Sequence, residues 1–199
     1  MIGFAETEHI ELNFRQRWAS YLTIIVAVLA LAGGYALRVN SLNATQRFEN
    51  KQIGLAARYP VNWLLEEGKT DFVFRVQDPA AVPFKTTLQM ALLPFGPDAL
   101  LAEIPNYLNI TRATSLSTYI ALQINSVTLP NGTQGLQMEY AYAASETNPA
   151  LQSVPIVVRG LDVIVLRNSQ ALVITYRADV QSFDRNRHYF DSFLRSLEF

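Results

Sequence analysis

The chain has 199 residues, half of them apolar and 17% charged, with a net charge of −1, no cysteine and two histidines, His9 and His188. That length fits one domain with an appendage, and the charged fraction lies below the about 25% usual in soluble domains. The missing cysteines exclude disulfides, thiolate zinc sites, CxxC haem attachment, cysteine-bound iron–sulfur clusters, cysteine nucleophiles and lipobox anchoring, and a near-neutral chain without a basic stripe gives no electrostatic reason to expect nucleic acid.

Residues 1–17 form an N-terminal tail in which Glu6, Glu8 and Glu11 alternate with apolar Phe4, Ile10, Leu12 and Phe14. Such a tail suits an interfacial helix or a segment ordered by a partner. Residues 18–37, WASYLTIIVAVLALAGGYAL, carry no charge. About 20 helical residues at about 1.5 Å each cover a ~30 Å hydrocarbon core, so this stretch is predicted to be a transmembrane helix. Arg15 and Arg17 precede it and Arg38 follows, while Trp18 and Tyr21 take the place of an interfacial aromatic anchor. The competing reading is a signal peptide cleaved near Ala30 or Ala44. The apolar run is longer than a usual signal core, which favours a retained single span. Arg38, Arg47 and Lys51 follow the span, so the positive-inside count does not decide orientation. The short tail and the nearest charges favour a cytoplasmic N-terminus and a periplasmic or extracellular domain. Ser20, Thr23, Ala27, Ala30 and Gly34 fall on one helix stripe, a predicted helix-packing face. Spans are also simply rich in small residues, which is the plainer account of the same stripe.

Residues 38–50 are polar and read as a tether, or equally as a further turn or two of the helix, before a domain over 51–199. Alternation at Ile53, Leu55, Ala57 and Tyr59 predicts a strand ending at Pro60, followed by a turn through Pro60–Trp63 and a short strand over 63–65. Glu66-Glu67-Gly68-Lys69 reads as a solvated hairpin loop, and strands are predicted around Phe72–Val76 and Leu88–Leu92. Gly96-Pro97-Asp98 opens a helix through Leu100, Leu101, Ile104, Tyr107 and Leu108, which Pro105 is expected to kink or split. A further helical turn is expected over 116–123, then a turn at Pro130-Asn131-Gly132 and a strand over 136–142. A long strand over 156–166 turns at Asn168-Ser169-Gln170 into Ala171–Tyr176, apolar on both faces and so placed centrally. The last element is a helix with Phe183, Phe190, Phe193, Leu194 and Leu197 on one face. The order of strands, helix, strands and helix gives an α+β layered sandwich.

Chemical motifs are missing: there is no GxGxxG, P-loop, GxSxG, HExxH or EF-hand loop. His188 reads as a solvated helix residue, and Asp162 as a partly buried carboxylate making a structural hydrogen bond. Glu139 and Arg177 are expected to pair across the sheet. Asn43, Asn109 and Asn131 each open an N-x-T tripeptide, weak evidence of glycosylation. Trp63 and Phe95 in their loops, with Arg185 and Arg187 on the last helix, are the candidate partner-docking residues, although core packing is the default for each aromatic and an ordinary exposed helix face the plainer account of the arginines.

Two segments carry a family resemblance. Gly54-Leu55-Ala56-Ala57-Arg58-Tyr59-Pro60-Val61-Asn62-Trp63 resembles the strand, Tyr-Pro, x-x-Trp opening of PsbP-like domains. Val173-Ile174-Thr175-Tyr176-Arg177-Ala178, Phe183 and Phe190–Leu197 resemble their ending. The likeness covers roughly residues 50–199 and implies an α/β/α sandwich with a central antiparallel sheet. It implies a non-enzymatic accessory protein on the extracytoplasmic side of photosynthetic membranes, helping large complexes assemble. The chain departs from the family in replacing a cleaved leader or lipid anchor by a span, and in having no histidine at the domain start, so no metal ligand and no cofactor is carried over. A span-anchored subunit of this kind is similar to a component of a quinol-oxidising assembly of the alternative complex III type, an analogy at the level of fold. The expected partners are other subunits of an integral membrane complex and the bilayer. The alternative is a tethered ligand-binding or sensor module, which a pocket lined by tyrosines and Arg159 or Arg177 would favour.

Overall fold

The structure, a computed structural model, describes residues 14–42, 44–69, 71–145, 154–167 and 169–199. The chain divides into two units between Ala44 and Thr45. The first is one helix, α1 (Phe14–Leu42), whose stretch Trp18–Val39 is long and apolar enough to cross a membrane. The expected tail ahead of it lies outside the described residues up to position 13.

Of the two readings of residues 38–50, the helix extension holds over the first five, and a strand rather than a tether takes the end. Arg38-Val39-Asn40-Ser41-Leu42 contains neither glycine nor proline to stop the helix, and α1 runs on through it. Thr45–Asn50 is strand β1, paired antiparallel with β2 (Leu55–Pro60), with Phe48 opposite Ala57 and both buried. Between them Gly54 has φ +64°, a left-handed turn conformation that glycine adopts without steric cost.

The main sheet has seven antiparallel strands: β3 (Leu64–Lys69), β4 (Phe72–Gln77), β5 (Thr87–Pro94), β6 (Ser117–Thr128), β7 (Gln134–Ala144), β8 (Ile156–Arg167) and β9 (Gln170–Asp179). Their spatial order is β3-β4-β5-β9-β8-β7-β6. The strand predicted to be central, β9, is the fourth of the seven and is buried on both faces. On one face lie β1–β2 and helix α3 (Phe183–Arg195), around a core that includes Phe48, Tyr59, Phe74, Leu88, Ile174, Tyr176 and Phe193. The Tyr176 hydroxyl donates to the Phe183 carbonyl at 2.7 Å, tying the start of α3 to the sheet. Ser196 accepts the Arg58 amide at 2.8 Å and ties its end to β2. On the other face lies α2 (Ile104–Ser115), with Ile104 and Leu108 against Met138, Tyr140, Val158, Ile164 and Val173.

Three local expectations are corrected. Pro105 neither kinks nor splits a helix, because α2 begins at Ile104 after a 3₁₀ turn over Leu101–Glu103. Pro105 therefore sits in the first turn, where its missing amide has no intrahelical acceptor to lose. Residues 117–123 are the start of β6 rather than a helix; Thr118, Tyr119, Ile120 and Ile124 favour a pleated strand, and β7 supplies the pairing. Glu66–Lys69 is not a loop but the body of β3, with Glu66 opposite Arg75.

Candidate functional site

Among the described residues, the sheet face that carries α2 is only half covered. The apolar side of α2 packs on β7 and β8, whereas toward β3 the side chains of Val73, Arg75, Gln77 and Gln89 are half-buried with no helix above them among the described residues. Strand register sets the contents of this face. Arg75 is opposite Gln89, Thr87 opposite Arg177, Arg177 opposite Gly160, and Gly160 opposite Tyr140. One residue pair along, Thr175 is opposite Asp162. Since side chains alternate along each strand, these residues share one surface.

At the covered end is a buried ion pair. Asp162 has no exposed surface; it accepts a hydrogen bond from the Thr175 hydroxyl at 2.8 Å and pairs with Arg112, which α2 lowers onto it. The Arg112 guanidinium also lies 4.2 Å from the centre of the Tyr140 ring. Burial alone would lower the Arg112 pKa, but Asp162, with Tyr140 and Tyr119, outweighs burial and holds it above its ordinary value. Burial, then the nearby Asp162 charge, pushes the Tyr140 phenol up, against the opposing pull of Arg112 and Arg177. Tyr140 spans the middle of the face. A Cβ at position 160 would run into its ring, so Gly160 is the residue that lets the ring lie on the strand. Tyr142 is at 6.3 Å, stacked on Tyr140.

At the uncovered end, Arg75 Nε and Arg177 Nη2 both donate to Gln89 Oε1, at 2.9 and 3.0 Å. Glu66 is 3.6 Å from Arg75. The expected pairing of Arg177 with Glu139 does not form, because the two residues point to opposite faces. Glu139 meets Arg159 at 3.3 Å on the α3 side, and Arg159 also reaches Asp184 at 3.5 Å.

The predicted docking residues are not brought together. Trp63 belongs to the core on the α3 side, with its ring 5.3 Å from Tyr189, because the turn before β3 folds onto α3. Phe95 is half-buried on the α2 side, edge-on to Tyr107 at 5.4 Å. Arg185 is exposed on α3, and Arg187 stands 3.9 Å from Asp191. Along α1, Ser20, Thr23, Ala27, Ala30 and Gly34 are exposed, as are Arg15, Trp18, Tyr21 and Arg38; the side chain of Arg17 lies outside the described residues. The Thr23 hydroxyl donates to the Ala19 carbonyl at 2.9 Å.

Two surface features have no counterpart in the sequence reading. The edge strand β6 has no charged residue in twelve, and Ile120, Leu122 and Ile124 are 56%, 52% and 45% exposed. The opposite edge, β3, is six residues with Glu66, Glu67 and Lys69. Charge and shortness are what usually protect an edge from pairing, and β6 has neither. Bulges at its N-terminal half are its only edge-breaking device among the described residues. The second feature is a cleft of about 400 Å³ beside α3, floored by Leu129, Leu161 and Val163 and rimmed by Arg187, Asp191 and Arg195. Among the described residues no group of three or more His, Asp or Glu side chains is placed to hold a metal ion.

No family model matches the chain, and no curated protein does. Solved structures do. Cyanobacterial PsbP (CyanoP) from Synechocystis is similar with a TM-score of 0.57 and 12% identity, over 77% of this chain and 91% of the other. The Ran-binding protein Mog1p of Saccharomyces cerevisiae is similar with a TM-score of 0.50 and 11% identity, over 77% and 94%. At such identities the likeness is one of fold: an apolar N-terminal helix is followed here by the α+β architecture shared by PsbP and Mog1, an antiparallel sheet with flanking helices.

Proposed function

We propose that the chain is a non-catalytic, membrane-anchored accessory subunit that stabilises or assembles a multi-subunit electron-transfer complex, photosynthetic or respiratory, with an assembly of the alternative complex III type as the finer reading. α1 crosses the bilayer once, with the N-terminus in the cytoplasm and the domain in the periplasm or outside the cell. Ser20, Thr23, Ala27, Ala30 and Gly34 pack against partner helices, where small residues allow close backbone approach. The head holds no cofactor and acts by contact. The observation that carries this reading is β6: a twelve-residue uncharged edge with three large apolar side chains exposed is poorly suited to face water alone and well suited to a protein neighbour. The PsbP-like architecture and the apolar helix support it.

Blue-native electrophoresis in mild detergent with mass spectrometry of the bands tests it. The chain should migrate with other membrane subunits, and the combined Ala27→Leu, Ala30→Leu and Gly34→Leu substitution should release it. Migration of the wild-type chain solely as a free monomer refutes the proposal. A tethered ligand-binding module is the second reading. It is favoured by the placement of Tyr140, Tyr142 and Arg177 on one half-open sheet face.

A further inference from the structure

Arg75 and Arg177 come from β4 and β9, with β5 between them. They meet on the single neutral oxygen of Gln89, at 2.9 and 3.0 Å. Two like charges are thus held together by an acceptor that carries no charge. Among the described residues, the carboxylate within ion-pair reach is Glu66, at 3.6 Å from Arg75. Among the described residues no carboxylate pairs with Arg177, and its Nε–H is buried without an acceptor. A buried unpaired donor costs about 1–3 kcal/mol, more on a charged group, so this arrangement is unfavourable unless something completes it. Burial, then the neighbouring Arg177 charge, lowers the Arg75 pKa, with Glu66 and Asp71 opposing.

Space lies next to the cluster. The pairs Gln77–Thr87 and Thr87–Arg177 run in one row across the strands. Gln77 and Thr87 line a cleft of about 260 Å³ with Lys85, Ala144 and Ile156. That volume is under the about 300 Å³ at which clefts for drug-sized ligands begin. A small ion fits it and a lipid does not. Lys85 adds a third cation at its wall. Arg177 does not line the cleft itself but adjoins it as the strand partner of Thr87, and its side chain is half-exposed.

We propose that Arg75, Gln89 and Arg177 form a binding site for a small oxyanion, a carboxylate or a phosphate, whose oxygens take the free Arg177 Nε–H and neutralise the paired guanidiniums. Guanidinium groups offer forked donors that match both anions, and charge-assisted bonds are about twice as strong as neutral ones. The site goes beyond the accessory role and does not depend on it: anion binding and complex membership are read by different assays.

The test is isothermal titration calorimetry of the full chain in mild detergent at fixed ionic strength, with inorganic phosphate in one arm, acetate in another, and chloride as the screening control. Saturable binding of phosphate or acetate but not chloride is expected; the tighter arm tells a tetrahedral from a planar preference. Arg177→Gln should weaken binding by about ten-fold or more, the loss of one charge-assisted bond. Arg75→Gln should weaken it similarly and serves if the first variant fails to fold. Arg58→Gln, exposed on β2 on the opposite side of the sheet, should leave it unchanged. No saturable binding in either arm, or equal binding by the wild type and both cluster variants, overturns the proposal.

Discussion

Replacing Arg112 by methionine isolates the energetics of the buried pair. Asp162 is wholly buried, so once Arg112 is gone the Thr175 hydroxyl is its remaining hydrogen-bond partner. The pair as a whole need not add much stability, because taking two charges out of water offsets most of their attraction. Removing one member is different, since the desolvation of Asp162 stays while the compensation leaves. That loss is about 3–5 kcal/mol for a buried pair, and the lost guanidinium–Tyr140 contact acts in the same direction. Domains of this size shift by about 2–4 °C per kcal/mol, so Tm should fall by about 6–20 °C. Asp162→Asn keeps the bond to Thr175 and leaves a guanidinium that is still partly exposed, so it should cost less, about 2 kcal/mol. In the double variant the unpaired charge is removed as well. Its loss should fall short of the sum of the singles by about 2 kcal/mol, the signature of direct coupling. Urea unfolding of the detergent-solubilised chain, followed by the fluorescence of Trp63 against Tyr189, measures all four proteins. A loss under about 1 kcal/mol for Arg112→Met, or strict additivity, refutes the reasoning.

Two further perturbations probe the same face. Gly160→Ala drives a methyl into the Tyr140 ring and should cost about 1–3 kcal/mol as overpacking, read as a lower urea midpoint; an unchanged midpoint means that the ring has another resting place. The Tyr140 and Tyr176 phenols are raised by burial above their ordinary 10.0. Their unfolded forms ionise first, so the stability they contribute is complete below about pH 10 and is lost as pH rises toward the folded values. The urea midpoint should therefore drop between pH 9 and 11, and Tyr140→Phe should drop less over that interval; equal slopes remove Tyr140 from the explanation.

Strands with one buried and one polar face were legible in the sequence, because alternation reports the sheet period directly. Phe72, Phe74 and Val76 are buried in β4 while Val73, Arg75 and Gln77 are not. β9 was legible as central for the complementary reason, an apolar run with no polar face. β6 was not, since neither of its faces is buried and so its burial has no period to read. Its only local signals were β-branched and aromatic residues, which an adjoining helical pattern masked. Pro105 misled because proline inside a helix and proline at its first turn look alike until the start of the helix is known. Asp162 was read correctly as a structural hydrogen-bond partner, though Arg112, fifty residues away, was not foreseeable as its counter-charge. The Arg75–Gln89–Arg177 cluster was hidden for the same reason. Each residue reads as an ordinary polar position on its own strand, and only the register of three strands, with Arg177 lying 88 residues from Gln89, brings them together.

The two halves of the α2-side face differ in how they are completed, and that difference bears on function. At the covered end, a helix delivers Arg112 to Asp162 and leaves the polar groups satisfied. At the uncovered end, among the described residues, Glu66 pairs with Arg75 while no carboxylate pairs with Arg177, and one buried donor stays unused. Polar groups inside a fold are normally satisfied by the chain itself, so the covered end behaves as structure and the uncovered end as a surface whose partner comes from outside. The same asymmetry holds at the sheet edges, where β3 carries charge and β6 carries none. The α2-side face and the β6 edge thus leave separate openings, one suited to a small anion and one to a protein strand or surface. A scaffold of this kind can occupy both at once, because Gly160 and Tyr140 lie between them.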